Sequence, residues 1–174
     1  MVPDLSLRPV SEEDRPFLLE LYAGTREQEL SVVDWTPEQK FAFCAMQYHA
    51  QDVFYRENYL GAELSVILAD GERAGRLYVH RRPKEIRLMD IAVAAGHRNR
   101  GIGTVFLSRL IAEATEARLP LTIHVEQMNP ALRLYERLGF KRVGENNVYF
   151  LMEYLPPGAA PGPAAELPVY SAIT

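Results

Sequence analysis

The chain has 174 residues, room for one ordinary domain and little more. Hydrophobic residues make up 48 % and charged residues 24 %, a balance that excludes intrinsic disorder and lets the chain bury one sizeable core. The net charge of −4 at pH 7 offers no polyanion-binding surface, so nucleic acid is not expected as a partner, and no apolar stretch is long enough to cross a membrane.

From the N-terminus, Met1-Val2-Pro3-Asp4 is neither basic nor followed by an apolar run, so no signal peptide is expected. Residues 5–8 make a short first strand. Ser11 offers an N-cap, with Asp14 three residues on, and Phe17, Leu18, Leu21 and Tyr22 recur at helical spacing until Gly24 ends the run. Thr36-Pro37-Glu38-Gln39 is the best capping signal in the chain: a cap residue, proline at the first helical position, and Gln39 placed to close a capping box. A long helix follows from Pro37 to Asp52 or beyond. Cys44, the one cysteine, lies in its apolar run as a small buried hydrophobe; it cannot form an internal disulfide, which fits a reducing cytoplasm.

Residues 63–69 and 72–80 read as strands joined by a tight hairpin turn at Asp70-Gly71, and residues 85–93 as a third antiparallel strand. The period then changes: 101–117 is helical, 120–126 a strand, 130–138 a helix, 140–143 a strand, Asn146-Asn147 a turn and 148–155 the last strand. The β-α-β crossover makes two strands parallel within a mixed α/β sheet. After Leu155 a Pro/Ala/Gly-rich segment begins, so residues 1–155 are read as the domain and 156–174 as a tail.

The chemistry is concentrated in two stretches. In Asp90-Ile91-Ala92-Val93-Ala94-Ala95-Gly96-His97-Arg98-Asn99-Arg100-Gly101-Ile102-Gly103-Thr104 a strand ends in a basic, glycine-bearing loop and a helix opens at once. The first amides of a helix have no partner inside it and the dipole there is positive, which suits a pyrophosphate. Gly101 and Gly103 let backbone approach phosphate oxygens, while Arg98 and Arg100 add charge. A plain tight turn is the alternative on these residues alone. There is neither a Gly-Lys-Ser/Thr loop nor a full Rossmann glycine triplet, and no metal-ligand set. In the second stretch Asn129 caps a helix, Pro130 starts it and Gly139 stops it, with Leu134, Tyr135 and Leu138 on one side.

The loop Arg98-Asn99-Arg100-Gly101-Ile102-Gly103 and the block Asn129-Pro130-Ala131-Leu132-Arg133-Leu134-Tyr135-Glu136-Arg137-Leu138-Gly139-Phe140, in this order and spacing, resemble the GNAT superfamily of acyl-CoA N-acyltransferases. The resemblance covers about residues 63–155; the first third matches only in layout. It implies a mixed sheet of about seven strands with helices on both faces, splayed between the fourth and fifth strands, with acetyl-CoA as co-substrate in the V and no metal. Ile91, Ala92 and Val93 would hold the thioester and pantetheine arm, the amides of Arg98, Asn99, Arg100, Gly101, Ile102, Gly103 and Thr104 the pyrophosphate, and Asn129 the pantetheine side. Tyr135 would stand by the thioester sulfur as the acid.

Acetyl transfer to a primary amine of a small molecule or peptide is the activity this implies. An aliphatic amine is protonated at neutral pH, so a base is useful. His124 and Asp90 are the candidates, with Glu126 on the same strand face as His124 by the period-two rule. Some relatives work through ordered water without a single base. The acceptor would meet the segment 22–59, where Glu29 can attract a cation and Trp35 can line a pocket; the alternative is a solvated helix pair, with Trp35 a hydrophobic staple. A longer acyl group, a thiol or hydroxyl acceptor, or a non-catalytic acyl-CoA sensor are the rival readings. A homodimer is compatible with the apolar last strand.

Overall fold

The computed structural model describes residues 1–146 and 148–163; the Asn146-Asn147 turn falls partly, and the tail beyond residue 163 wholly, outside the described residues. Among them are seven strands and four helices: β1 (Leu5–Pro9), α1 (Arg15–Leu30), α2 (Pro37–Asn58), β2 (Glu63–Ala69), β3 (Glu72–Arg81), β4 (Ile86–Val93), α3 (Ile102–Ala117), β5 (Leu121–Glu126), α4 (Leu132–Arg137), β6 (Lys141–Asn146) and β7 (Tyr149–Tyr154). The strands form one sheet in the order β1-β2-β3-β4-β5-β7-β6. Every neighbouring pair is antiparallel except β4–β5, which the α3 crossover makes parallel.

Local signals set most of these elements. Thr36 Oγ1 accepts the Gln39 amide and Gln39 Oε1 accepts the Thr36 amide, closing the capping box of α2. Asp70 and Gly71 both take positive φ, 52° and 83°, as a two-residue hairpin turn matched to the twist of its strands requires. One expectation is corrected: Gly24 does not end α1, which runs on to Leu30. Leu18, Leu21, Tyr22 and Leu30 are all buried against α2, and that packing outweighs the modest helix cost of a glycine.

The sheet separates two cores. On one face, Leu77, Val79, Ile86, Leu88, Leu121 and Ile123 pack under α3 and α4, with Phe106, Leu107, Leu110 and Leu132. On the other, Ala92 and Ala94 meet α1 and α2, and Tyr78 meets Tyr55 of α2 and Tyr59 just beyond its end. The described start of the tail lies against the domain, where the Gly162 amide donates to Glu153 Oε2 at 2.8 Å. No helix among the described residues is long and apolar enough to cross a membrane.

The entry to α1 rests on Asp14, whose side chain is fully buried. Its carboxylate accepts two bonds from Arg8 at 2.7 Å, one from Arg73 Nε at 2.7 Å and one from the Ser11 amide at 2.8 Å, tying β1 and β3 to the helix start. The bonds from Arg8 outweigh burial and, with Ser11 and Arg73, hold this carboxyl well below the usual range. Replacing Asp14 with asparagine should cost about 2 kcal/mol, or roughly 4–8 °C in Tm. Because the folded carboxyl titrates below the unfolded value of about 3.9, this stability is present above about pH 4 and is lost as the pH falls. Unfolding followed against pH should therefore show a shallower acid limb for Asp14→Asn than for the parent; parallel limbs would remove Asp14 from the acid response.

Candidate active site

The fourth and fifth strands pair only at Ile86↔Leu121 and Arg87↔Thr122; beyond that they separate. The V so formed opens toward α1 and α2 and holds a cleft of about 210 Å³. A bulge in β4 decides which backbone groups face it. Tyr78 pairs with Asp90 and Val79 with Leu88, leaving Met89 as the extra residue. Before the bulge, the Ile86 amide donates to Pro120 on the β5 side; after it, the Ala94 amide donates to Ala74 on the β3 side. By alternation, Ile91 and Val93 turn their peptide groups into the opening, where without the bulge Asp90 and Ala92 would do so. Gly75 holds this end of β4 in place: a Cβ there would stand 2.2 Å from the Ala92 carbonyl oxygen, so only glycine permits the approach.

The chain leaves β4 through the basic loop into α3. Gly101 is the N-cap at φ 76°, supplies no side-chain cap, and gives its carbonyl to the Val105 amide as the first helical bond. The amides of Ile102, Gly103 and Thr104 thus precede the intrahelical ladder. No heavy atom lies within 4 Å of where a Gly103 Cβ would be, so the helix start is open above its backbone. Asn99 adopts φ 61°, and Arg98 Nε donates to the Val93 carbonyl at 3.0 Å, folding the loop back onto the strand. Arg98, Asn99 and Arg100 are exposed. Free amides, a helix N-terminus and cationic side chains together suit an anionic group.

The structure brings Tyr135, His124, Asp90, Glu126 and Asn129 to one cleft. Asn129 Oδ1 accepts the Ala131 amide and its carbonyl accepts the Leu132 amide, so a side-chain-stabilised turn precedes α4, which begins at Leu132 rather than at Pro130. That turn delivers Tyr135 to the cleft wall, buried edge-on against Phe140 at 5.5 Å. Burial, and then the negative charge of Asp90, push the Tyr135 phenol well above its ordinary pKa of 10, so it holds its proton. Asp90 is ion-paired to Arg76, which also donates to Gln51 Oε1 at 2.8 Å. His124 accepts at Nδ1 from Arg87 Nη1 at 2.8 Å; burial first, and then the Arg87 charge, lower its pKa to about 4. Glu126 is raised by burial against the opposing pull of Arg26, whose Nη1 is 3.6 Å away.

The wall formed by α1 and α2 differs from the sequence expectation. Trp35 and Glu29 do not line the cleft. Trp35 is 42 % exposed and packs edge-on against Phe43 at 5.3 Å, while Glu29 acts indirectly by binding Arg26 at 3.0 Å. The wall is built by Tyr22, Thr25 and Arg26 of α1 and by Gln51 and Tyr55 of α2. Arg76 and Arg87 were missed from sequence. Their signal was an arginine at the centre of an otherwise apolar strand, which burial makes costly unless it is paired.

Such a splayed strand pair, followed by an open helix start and faced by a protonated tyrosine, suits an extended ligand with an anionic segment lying in a break of the sheet. Residues 21–140 match the model of the acetyltransferase (GNAT) family, and the chain belongs to that family. Solved structures agree in fold. The PaiA N-acetyltransferase of Thermoplasma acidophilum, in complex with coenzyme A, superposes with TM-score 0.65 at 16 % identity, covering 87 % of this chain and 99 % of that one. An acetyltransferase from Thermus thermophilus gives 0.64 at 19 % identity, covering 88 % and 98 %. A comparison with curated proteins finds no significant match.

Proposed function

We propose that this protein transfers an acetyl group from acetyl-CoA to a primary amine of a small molecule or peptide. The observation that carries the reading is the break between β4 and β5, with Ile91 and Val93 turned into it and the uncapped start of α3 directly downstream. The residues present fit the co-substrate. The backbone of Ile91, Ala92 and Val93 suits an amide-bearing arm, Asn129 stands at the cleft wall, and the amides from Asn99 to Thr104 suit a pyrophosphate, the Arg98 amide being taken up by the Ala95 carbonyl. Bound acetyl-CoA supplies the activated acetyl thioester.

The chain's own groups divide the remaining work. Backbone N–H groups of Ile91 and Val93 are fixed donors for a carbonyl oxygen. Tyr135 holds a proton at Oη for the departing sulfur. Three groups are available to take the amine proton. Asp90 is engaged by Arg76, and His124 stays neutral through the physiological range with Nδ1 occupied. Glu126 lies farther from its cation, with Arg26 Nη1 at 3.6 Å, and burial makes it a stronger base than an ordinary carboxylate, so we assign it the base role. Its active form is the carboxylate, so the rate rises with pH through a limb that Glu126→Gln removes and His124→Gln leaves in place. Glu126→Gln should lower kcat/KM at neutral pH roughly 100-fold or more. His124→Gln should leave the shape of the profile above about pH 6 unchanged; a histidine limb in the parent that His124→Gln abolishes would return the base role to His124.

Calorimetric titration with acetyl-CoA and with CoA, followed by turnover on an amine panel, tests the whole reading. Saturable binding with turnover supports an enzyme. Binding without turnover on any amine would leave an acyl-CoA sensor, and no binding would overturn the reading.

A further inference from the structure

At the vertex of the V, where the last β4–β5 backbone pair is Arg87↔Thr122, one side chain bridges the two strands. Arg87 is 2 % exposed. Its Nε donates to Thr122 Oγ1 at 2.8 Å and its Nη1 to His124 Nδ1 at 2.8 Å. Its third nitrogen faces Glu85, at 3.3 Å from Oε1, and Thr122 in turn donates to Glu85 Oε2 at 2.9 Å. Arg82 holds the other side of Glu85 at 2.9 Å. The guanidinium is therefore clamped from both ends, and its plane is not free to turn.

An arginine has donors and no acceptor. The nitrogen it reaches must present a lone pair, so the proton of a neutral His124 ring sits on Nε2. Among the described residues, Arg87 is the only group hydrogen-bonded to the ring, and His124 lines the cleft, so Nε2 is the atom left to meet its contents. The charges sharing that space are Asp90 beside the vertex, Arg76 from β3, Glu126 at the far end of β5 and Arg26 from α1. The hydroxyls of Tyr55, Tyr59, Tyr135 and Tyr149 complete it, and none of these groups bonds to the ring.

We propose that Arg87 is a positioning residue that fixes His124 as its Nε2–H tautomer, so that His124 meets the acceptor as a hydrogen-bond donor and not as a base. An N–H donor repels an ammonium and attracts an oxygen. The position therefore favours acceptors carrying a hydroxyl, carbonyl or carboxylate oxygen next to the reacting amine. The tautomer stands on geometry alone; its use toward an acceptor rests on the acetyltransferase reading.

Histidine-selective ¹⁵N labelling of the full chain, with His124→Gln to assign the ring, reads the tautomer directly. The chain has four histidines, so assignment is tractable. The expected parent spectrum has Nδ1 unprotonated, Nε2 protonated and no titration between about pH 5.5 and 8. Protonated Nδ1, or titration near 6.5, would overturn the inference without any variant being made. Arg87→Met, combined with Glu85→Gln so that no buried carboxylate is left alone, should mix the two tautomers and raise the ring's titration point, with burial still holding it below the ordinary value. Arg87→Lys, which keeps one cationic donor, should restore the Nε2–H form. An unchanged tautomer in the double variant would also overturn the proposal. In turnover, the double variant should raise KM for an oxygen-bearing amine about tenfold relative to an unsubstituted alkylamine, with the acetyl-CoA Kd unchanged. An Nε2–H ring in a parent that binds no acetyl-CoA would sink the acetyltransferase reading alone; an Nδ1–H ring in an active parent would sink only the present inference.

Discussion

Replacing Gly103 with glutamate is expected to weaken acetyl-CoA binding by at least about 100-fold, close to 2.7 kcal/mol, while moving Tm by no more than about 2 °C. The two halves of this result have separate causes. Gly103 lies in the first turn of α3, and nothing stands within 4 Å of the position its Cβ would take, so a side chain meets no protein atom. Glutamate is also a better helix former than glycine. The new carboxylate would instead occupy the open space above the free amides and place a negative charge where the proposed reading puts the pyrophosphate. Calorimetric titration beside thermal unfolding reads both. Unchanged affinity in a folded variant would remove the α3 loop from the site. Gly101 does not offer so clean a test, since its φ of 76° strains any other residue.

Tyr135→Phe is the second large effect. The ring is buried against Phe140, and phenylalanine keeps that contact. No hydrogen bond to the phenol oxygen is made among the described residues, so its removal leaves no partner stranded. What is lost is the proton that burial and Asp90 keep on Oη. The expected outcome is a fall in kcat of about 100-fold or more, with KM for the amine and Kd for acetyl-CoA nearly unchanged. An acetyl thioester donor whose thiol has a lower pKa than that of coenzyme A would narrow the gap, since a better leaving group needs less help from an acid. An equal kcat in parent and variant would take Tyr135 out of the chemistry.

The two variants probe different parts of the site, the start of α3 through binding and the cleft wall through the rate. A protein that loses affinity with Gly103→Glu but is insensitive to Tyr135→Phe would bind acyl-CoA without this route of proton delivery. The pH profile then separates the remaining groups, because the cleft carboxylate raised by burial and the histidine lowered to about 4 move in opposite directions from their ordinary values.

The sequence by itself determined most of the elements and the glycine-bearing loop that opens α3. Its signals are local: the capping box at Thr36–Gln39, positive φ at Asp70 and Gly71, the change of period after Val93, and the glycines opening α3. Each is decided by neighbours a few residues away, which is the range over which propensity and turn chemistry act. Gly24 marks where that range ends, since a local helix breaker was overridden by burial of Leu30 against another helix. Only the tertiary structure decided which peptide groups face the cleft, because that follows from a one-residue bulge at Met89 that flips the alternation without altering the apolar pattern. The state of the titratable groups was likewise out of reach. Arg87 and His124 lie 37 residues apart, and Arg26 and Glu126 meet across the cleft from α1 and β5. A histidine in a strand reads as a base until the partner of its Nδ1 is known. That partner is set by where β4 and β5 stop pairing, and by the charge that burial forces into the gap.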